Sequence, residues 1–249
     1  MFMDRFIYNQ FQKYGVDLEE SERNLERFAP YFLKAKAELV SGLVNGPDIL
    51  DAGCGEGRIA VALAEKGFRV TGVDCNAAFI RTARRRARRL GPRAPKFVAG
   101  DLRDLPDGRK YDDIILTDVL EHVDDDVGLL RRLGGLLKPG GGIVMIVPAF
   151  EALRSPRDAA VGHRRRYRLS ELAQKLAAAR LRVDRAFYWK LINIPNCLLC
   201  RLLGRSEYNY WAARSWFARA FLAWWFENVE NRLHLPIGES LVVRAGRNE

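Results

Sequence analysis

Three carboxylates and a glycine-rich turn are the first residues of this 249-residue chain whose types and spacing could do chemistry. One apolar run ends in Asp51-Ala52-Gly53-Cys54-Gly55-Glu56-Gly57, the next ends in Asp74, and a third in Asp101. Glycines at 53, 55 and 57 permit a tight turn and let a ligand approach the backbone closely. The spacing is GxGxG rather than GxGxxG, and three strand-end carboxylates with no phosphate-loop Lys-Ser/Thr do not suit a triphosphate or pyrophosphate ligand. Acceptors at three successive strand ends suit a cationic nucleoside instead. A ribose diol, an adenine amine and a positive centre would each find a partner, and S-adenosylmethionine has all three. The plainer alternative is that Asp51 and Asp74 only cap helices.

A second constellation follows. Asp118, Glu121 and His122 stand at i, i+3 and i+4, which on a helical turn places them on one face, and His163 could close over them from a later loop. Histidine titrates nearest neutrality, so Glu121, His122 and His163 are the candidate catalytic groups for deprotonating a weak nucleophile. His122 reads equally well as a packing residue. The four side chains together would also suit a hard or borderline divalent cation, with a metal-free site the preferred reading. Arg164, Arg165, Arg166 and Arg168 flank Tyr167. Arg164, Arg166 and Tyr167 are therefore candidate substrate-binding residues, able to clamp a phosphate or carboxylate. Arg81, Arg84, Arg85, Arg88 and Arg89 are spaced for one solvated helix face. Cys197 and Cys200 form a CxxC without a second pair or nearby His, which reads as core packing rather than zinc.

The elements that must carry these groups are legible in outline. Leu25, Phe28, Phe32, Ala35, Leu39 and Leu43 share a helical face in residues 18–45, with Pro30 expected to kink or divide it. From about 47 to 148 short apolar runs alternate with helical stretches, one of them running through LLRRLGGLLKPGG. That alternation predicts a doubly wound parallel sheet covered on both faces. A surface loop then leads to a helix capped by Ser170, a strand RVDRAFYW and a closing strand ESLVVRA. The stretch between those two strands is too long for a loop and should be a helical insertion. It carries Trp211, Trp216, Phe217, Phe221, Leu222, Trp224, Trp225 and Phe226 with only Arg214 and Arg219 interrupting. Such a helix is buried, pairs with a second subunit, or lies in a membrane interface. The expected divisions are a helical cap (1–46), an α/β core (47–188), the aromatic insertion (189–235) and a final strand with tail (236–249).

Composition narrows the class. With 48% hydrophobic and 29% charged residues the chain is neither a solvated coil nor a polytopic membrane protein. Four cysteines are too few for a disulfide scaffold and fit a reducing cytoplasm. Neither a secretory leader nor about 18 uninterrupted apolar residues is present, so the expectation is a cytoplasmic protein, soluble or peripheral at the inner membrane face. The formal charge of +10 reflects 32 Arg against 9 Lys. That bias fits phosphate, nucleic acid or anionic lipid, and equally a general Arg-for-Lys preference.

Residues 48–148 resemble the class I S-adenosylmethionine-dependent methyltransferases through ILDAGCGEGRIA, VTGVDCN, AGDLRDLP, YDDIILTDVLEHV and LLKPGGGIVMIVP, in that order. The resemblance implies a Rossmann-like α/β fold of seven strands, with S-adenosylmethionine as cofactor and S-adenosylhomocysteine as product. It implies that Asp51, Gly53, Cys54 and Gly55 surround the methionine part, that Asp74 holds the ribose hydroxyls, and that Cys75 packs by the adenine. Asp101 and the Leu102 amide would read the adenine ring, and Asp118 would lie beside the methionine end. The Asp118, Glu121, His122 and His163 set is similar to a metal site of small-RNA and ubiquinone-type O-methyltransferases, with Asp118 in place of the first Glu. The expected acceptor is a small or lipid-linked molecule, methylated at oxygen and covered by the insertion, through which the chain could also dimerise. An RNA methyltransferase and a non-catalytic cofactor-binding module are the alternatives.

Overall fold

The computed structural model describes residues 30–204 and 215–247, so Leu25, Phe28, Trp211 and Arg214 lie outside the described residues. Pro30 opens the first described helix, α1 (Pro30–Ser41), where its missing N–H removes no helical hydrogen bond. Five strands then alternate with helices: β1 (Asp48–Ala52), α2 (Arg58–Glu65), β2 (Arg69–Asp74), α3 (Ala77–Ala87), β3 (Lys96–Ala99), β4 (Tyr111–Thr117), α4 (Asp126–Gly134) and β5 (Leu137–Pro148). After the short α5 (Pro156–Ala160) come α6 (Leu169–Ala178) and β6 (Leu181–Trp189). The insertion contributes α7 (Ile194–Leu202) and α8 (Trp216–Trp225), and β7 (Ser240–Arg247) follows.

All seven strands form one sheet in the order β3-β2-β1-β4-β5-β7-β6. β1 to β5 run parallel, while β7 enters antiparallel between β5 and β6. Alternate residues of the central strands feed opposite faces. Ile114, Leu116, Ile143 and Met145 pack with Leu130, Leu172 and Leu176 of α4 and α6. Ile115, Val144 and Ile146 pack with Val40, Leu63 and Ile80 of α1, α2 and α3. This two-sided burial is why these strands are continuously apolar rather than alternating.

Two boundary expectations are corrected. LKPGG belongs to β5 rather than to the preceding helix, because Leu137 pairs with Tyr111 and the glycines let the strand continue to Gly142, opposite Asp113. α6 begins at Leu169 with Arg168 as its cap, not Ser170. The Glu171 carboxylate accepts the Arg168 backbone N–H at 3.0 Å and closes the first turn one residue earlier than Ser170 would have.

Candidate active site at the carboxyl edge of the sheet

The glycine turn joins β1 to α2, and Gly53, Gly55 and Gly57 all hold left-handed backbone (φ 76°, 51° and 73°). A Cβ on Gly53 would stand 2.3 Å from Val119 Cγ2, and one on Gly57 would stand 2.6 Å from Phe97 Cζ. A Cβ on Gly55 would meet nothing within 4 Å, so the turn is closed on its protein side and open on the other. Asp74 sets the turn: its Oδ2 accepts the Gly55 N–H and its Oδ1 the Asn76 N–H, each at 2.8 Å. Asp51 is buried, its Oδ2 has no hydrogen-bond partner, and burial, aided by Asp74, pushes its carboxyl up to about 7 against the pull of Lys36. Burial also raises the Cys54 thiol, an inert state for that residue.

Asp118 follows β4 with a left-handed φ of 54°, unusual for a residue with a Cβ. Its carboxylate pairs with Lys36 of α1. Burial opposes its charge, but Lys36 and Lys190 outweigh that and hold the carboxyl near 2. Asp101 turns to Arg103, whose Nε donates to it at 2.9 Å, and Leu102 is buried in the core.

Glu121 and His122 lie on a 3-10 turn (Leu120–His122) rather than a full helical turn, which separates them from Asp118. The ligand atoms of Glu121, His122 and His163 all lie within 4.8 Å of one another, a trio that leaves Asp118 out of the expected set of four. Neither Glu121 carboxylate oxygen has a hydrogen-bond partner, and burial raises its carboxyl well above the usual range. Burial, then the neighbouring His163, pushes His122 down to about 4. His163 Nδ1 lies 2.9 Å from Asp158 Oδ1 and its Nε2 3.7 Å from Glu121 Oε1.

The expected arginine clamp is a set of internal bonds instead. Arg164 pairs with Asp124 at 2.6 Å and Arg165 with Asp126 at 2.8 Å. Arg166 binds both Asp158 oxygens, at 2.8 and 3.2 Å, and the Ala149 carbonyl at 3.0 Å. Tyr167 is buried, its hydroxyl 3.1 Å from Asp126 Oδ2. Each guanidinium has found a carboxylate from another element, which leaves the loop fastened rather than open. Cys197 and Cys200 are buried and form no disulfide among the described residues, in keeping with core packing.

A cavity of about 840 Å³ brings these parts together. Its lining combines Gly53, Cys54, Gly55 and Asp118 with Asp158, His163 and Arg166 and with the apolar Phe32, Phe221, Leu222 and Phe226. Asp51, Asp74, Cys75, Asp101, Leu102, Glu121, His122, Arg164 and Tyr167 are not among its lining residues. Sequence reasoning missed Lys36, Asp158, Lys190, Glu239 and Ser240, all of which contribute to this cavity or its ion pairs. Only Asp158 carried a local signal, the Ser155-x-x-Asp158 cap of α5.

Residues 49–141 match a family model described as a methyltransferase domain. Over 128 residues the chain is 32% identical to the ubiquinone biosynthesis O-methyltransferase of Rickettsia conorii, covering 51% of this chain and 43% of that protein. The corresponding protein of Vibrio parahaemolyticus is 32% identical over 127 residues, covering 50% of this chain and 53% of its own. The chain thus spans about half the length of the curated relatives it matches. Among solved structures, the magnesium protoporphyrin IX methyltransferase of Synechocystis PCC 6803 superposes with a TM-score of 0.59 at 18% identity, covering 98% of this chain and 94% of that one. A TehB-like methyltransferase of Corynebacterium glutamicum gives 0.56 at 19% identity, covering 93% and 100%. With that sheet order and the open glycine turn between β1 and α2, the chain shares the fold of these solved methyltransferases, and the methyltransferase-domain match lies on residues 49–141, the strands and helices that carry the turn.

Proposed function

We propose that this chain transfers a methyl group from S-adenosylmethionine to an oxygen of a small, largely apolar acceptor. The observation that carries this reading is one cavity lined both by the glycine turn with Asp118 and by rings of the aromatic insertion. The residues present fit the cofactor. Gly55 leaves open space, Asp51 keeps an unpartnered oxygen, and the Lys36–Asp118 pair offers opposite charges to the carboxylate and ammonium of an amino-acid group. When bound, the cofactor supplies an electrophilic methyl on a sulfonium. The protein's task is then positioning, where effective molarities are worth up to about 7–11 kcal/mol.

Asp158 accepts the Nδ1 proton of His163, a residue that lines the cavity, which leaves Nε2, 3.7 Å from Glu121 Oε1, as the acceptor nitrogen. His163 is therefore the proton acceptor of choice for the hydroxyl group, contributing on the order of 10²–10⁴-fold. His122, held neutral by burial, orients the turn. The O-methyltransferase names of the curated relatives support oxygen as the methylated atom. The same Glu121, His122 and His163 donors suit a borderline divalent cation, which when bound would supply Lewis acidity. Calorimetric titration of Mn²⁺ into wild type and His122→Ala decides that second reading, with saturable 1:1 binding lost in the variant supporting it.

Acceptors with a lipid tail fall within the same reading. Leu202, Trp216, Phe217 and Trp224 are more than half exposed on α7 and α8, which also carry Arg201 and Arg219. No described helix is long and apolar enough to cross a membrane, so contact with anionic lipid would be peripheral. Flotation with phosphatidylglycerol vesicles should carry the wild type upward and leave Trp216→Asp/Phe217→Asp behind. An RNA acceptor is less favoured because Arg164, Arg165 and Arg166 are bonded internally. The central test is calorimetry with S-adenosylmethionine, expected to give micromolar binding that weakens at least about tenfold in Asp118→Asn. A folded wild type that does not bind the cofactor ends this reading.

A further inference from the structure

β7 begins at the edge where β5 and β6 end, so Ser240 stands between Pro148 and Trp189. This junction gathers polar groups beyond the glycine turn and the Lys36–Asp118 pair. Lys190, the residue after β6, is buried yet holds left-handed backbone (φ 62°, ψ 45°), a conformation that persists in a non-glycine residue only when its surroundings impose it. Two elements impose it here. Its N–H donates to Glu230 Oε2 at 2.8 Å, and its carbonyl accepts the Glu239 N–H at 3.3 Å. The result aims the ammonium into the cavity, where Nζ lies 3.0 Å from Glu239 Oε2 and 5.5 Å from the Phe32 ring centre.

An ammonium has three donors, and Glu239 takes one. Ser240 lines the same cavity, is 1% exposed, and its Oγ has no hydrogen-bond partner. Buried hydroxyls ordinarily find one. A buried, unsatisfied hydroxyl and a buried ammonium that line one cavity are the donors a site for an oxygen anion needs. Arg157 lines the same cavity, whereas Arg166 is matched there by Asp158, so Glu239 and Lys190 form one ion pair among balanced neighbours.

The geometry points to a carboxylate-binding subsite at the β6–β7 junction, in which Lys190 Nζ and Ser240 Oγ hold a carboxylate of the acceptor while Phe32 and Phe226 flank its apolar body. This rests on reading the cavity as the acceptor's. Glu239 is a positioning residue, since it aims Lys190. The acceptor class is then an aromatic or otherwise apolar acid whose carboxylate is not the methylated group.

Two probes of equal body test it in protein saturated with S-adenosylhomocysteine: 2-hydroxy-4-phenylbenzoate, and 3-phenylphenol, which lacks only the carboxylate. Wild type should bind the acid about tenfold or more tighter by calorimetry. Ser240→Ala should reduce that advantage about threefold or more, and the neutral double variant Lys190→Met/Glu239→Gln should abolish it, with 3-phenylphenol affinity retained. The double variant is used because Lys190→Met alone would strand the Glu239 charge. A native circular dichroism spectrum and an unchanged urea-unfolding midpoint certify each fold, and S-adenosylhomocysteine is brought to saturation for each variant separately. Equal affinity of wild type for the two probes, or an advantage that survives in both variants, overturns the subsite while the cavity assignment stands. Failure of both probes to bind the loaded wild type overturns the cavity assignment and the subsite with it.

Discussion

Asp51 shows how one buried carboxyl can make cofactor binding depend on pH. Its carboxyl is pushed up to about 7 by burial, so near neutrality it is only partly ionised. A cationic ligand favours the charged form, and affinity for S-adenosylmethionine should therefore rise with pH through about 7. Calorimetry between pH 6 and 8 should show that rise, and Asp51→Asn should flatten it. Tyr167 makes the opposite point, that a residue with a reactive look can be structural. Tyr167→Phe removes a buried hydroxyl bonded to Asp126 and should cost about 1–2 kcal/mol in urea unfolding while leaving cofactor affinity unchanged. Asp51 and Asp74 were legible because a local strand-turn-helix pattern places them. Lys36 was not, since its partner Asp118 is 82 residues away and only the packing of α1 across the strand ends introduces them.

Among the elements, the glycine turn is the least tolerant. Gly53→Ala would force a Cβ against Val119 at a left-handed φ, costing about 1–3 kcal/mol, and cofactor binding should fall with the displaced turn. Differential scanning calorimetry with and without S-adenosylmethionine separates the two effects, and an unchanged melting temperature would refute the steric argument. The alternation of strands and helices was readable from apolar periodicity alone. Local choices between competing signals were not. LKPGG reads as a helix end in isolation, but a neighbouring strand was available to pair with it. Ser170 is a good cap in isolation, yet Glu171 closed the turn on Arg168 first. The aromatic insertion announced itself by composition, while which of its rings face the cavity depended on how α8 lies against α1.

Taken as a whole, the molecule should respond to acid through His122. Its folded form titrates near 4 and its ordinary value is 6.5, so between those limits the unfolded chain binds more protons. Stability therefore rises with pH across that window, by at most about 3 kcal/mol, and is flat above it as far as this group is concerned. Urea unfolding at pH 4.5 and 7 should show the difference, and His122→Asn should shrink it. The junction of β7 with β6 has a further bearing on how the protein is made. Among the described residues β6 pairs with no strand other than β7, and β7 is synthesised last of the described elements. A nascent chain can close the glycine turn long before it can hold Lys190 against Glu239. The ability to load cofactor should thus precede the ability to choose an acceptor, and a ribosome stalled before residue 239 would carry a domain able to bind one substrate and unable to recognise the other.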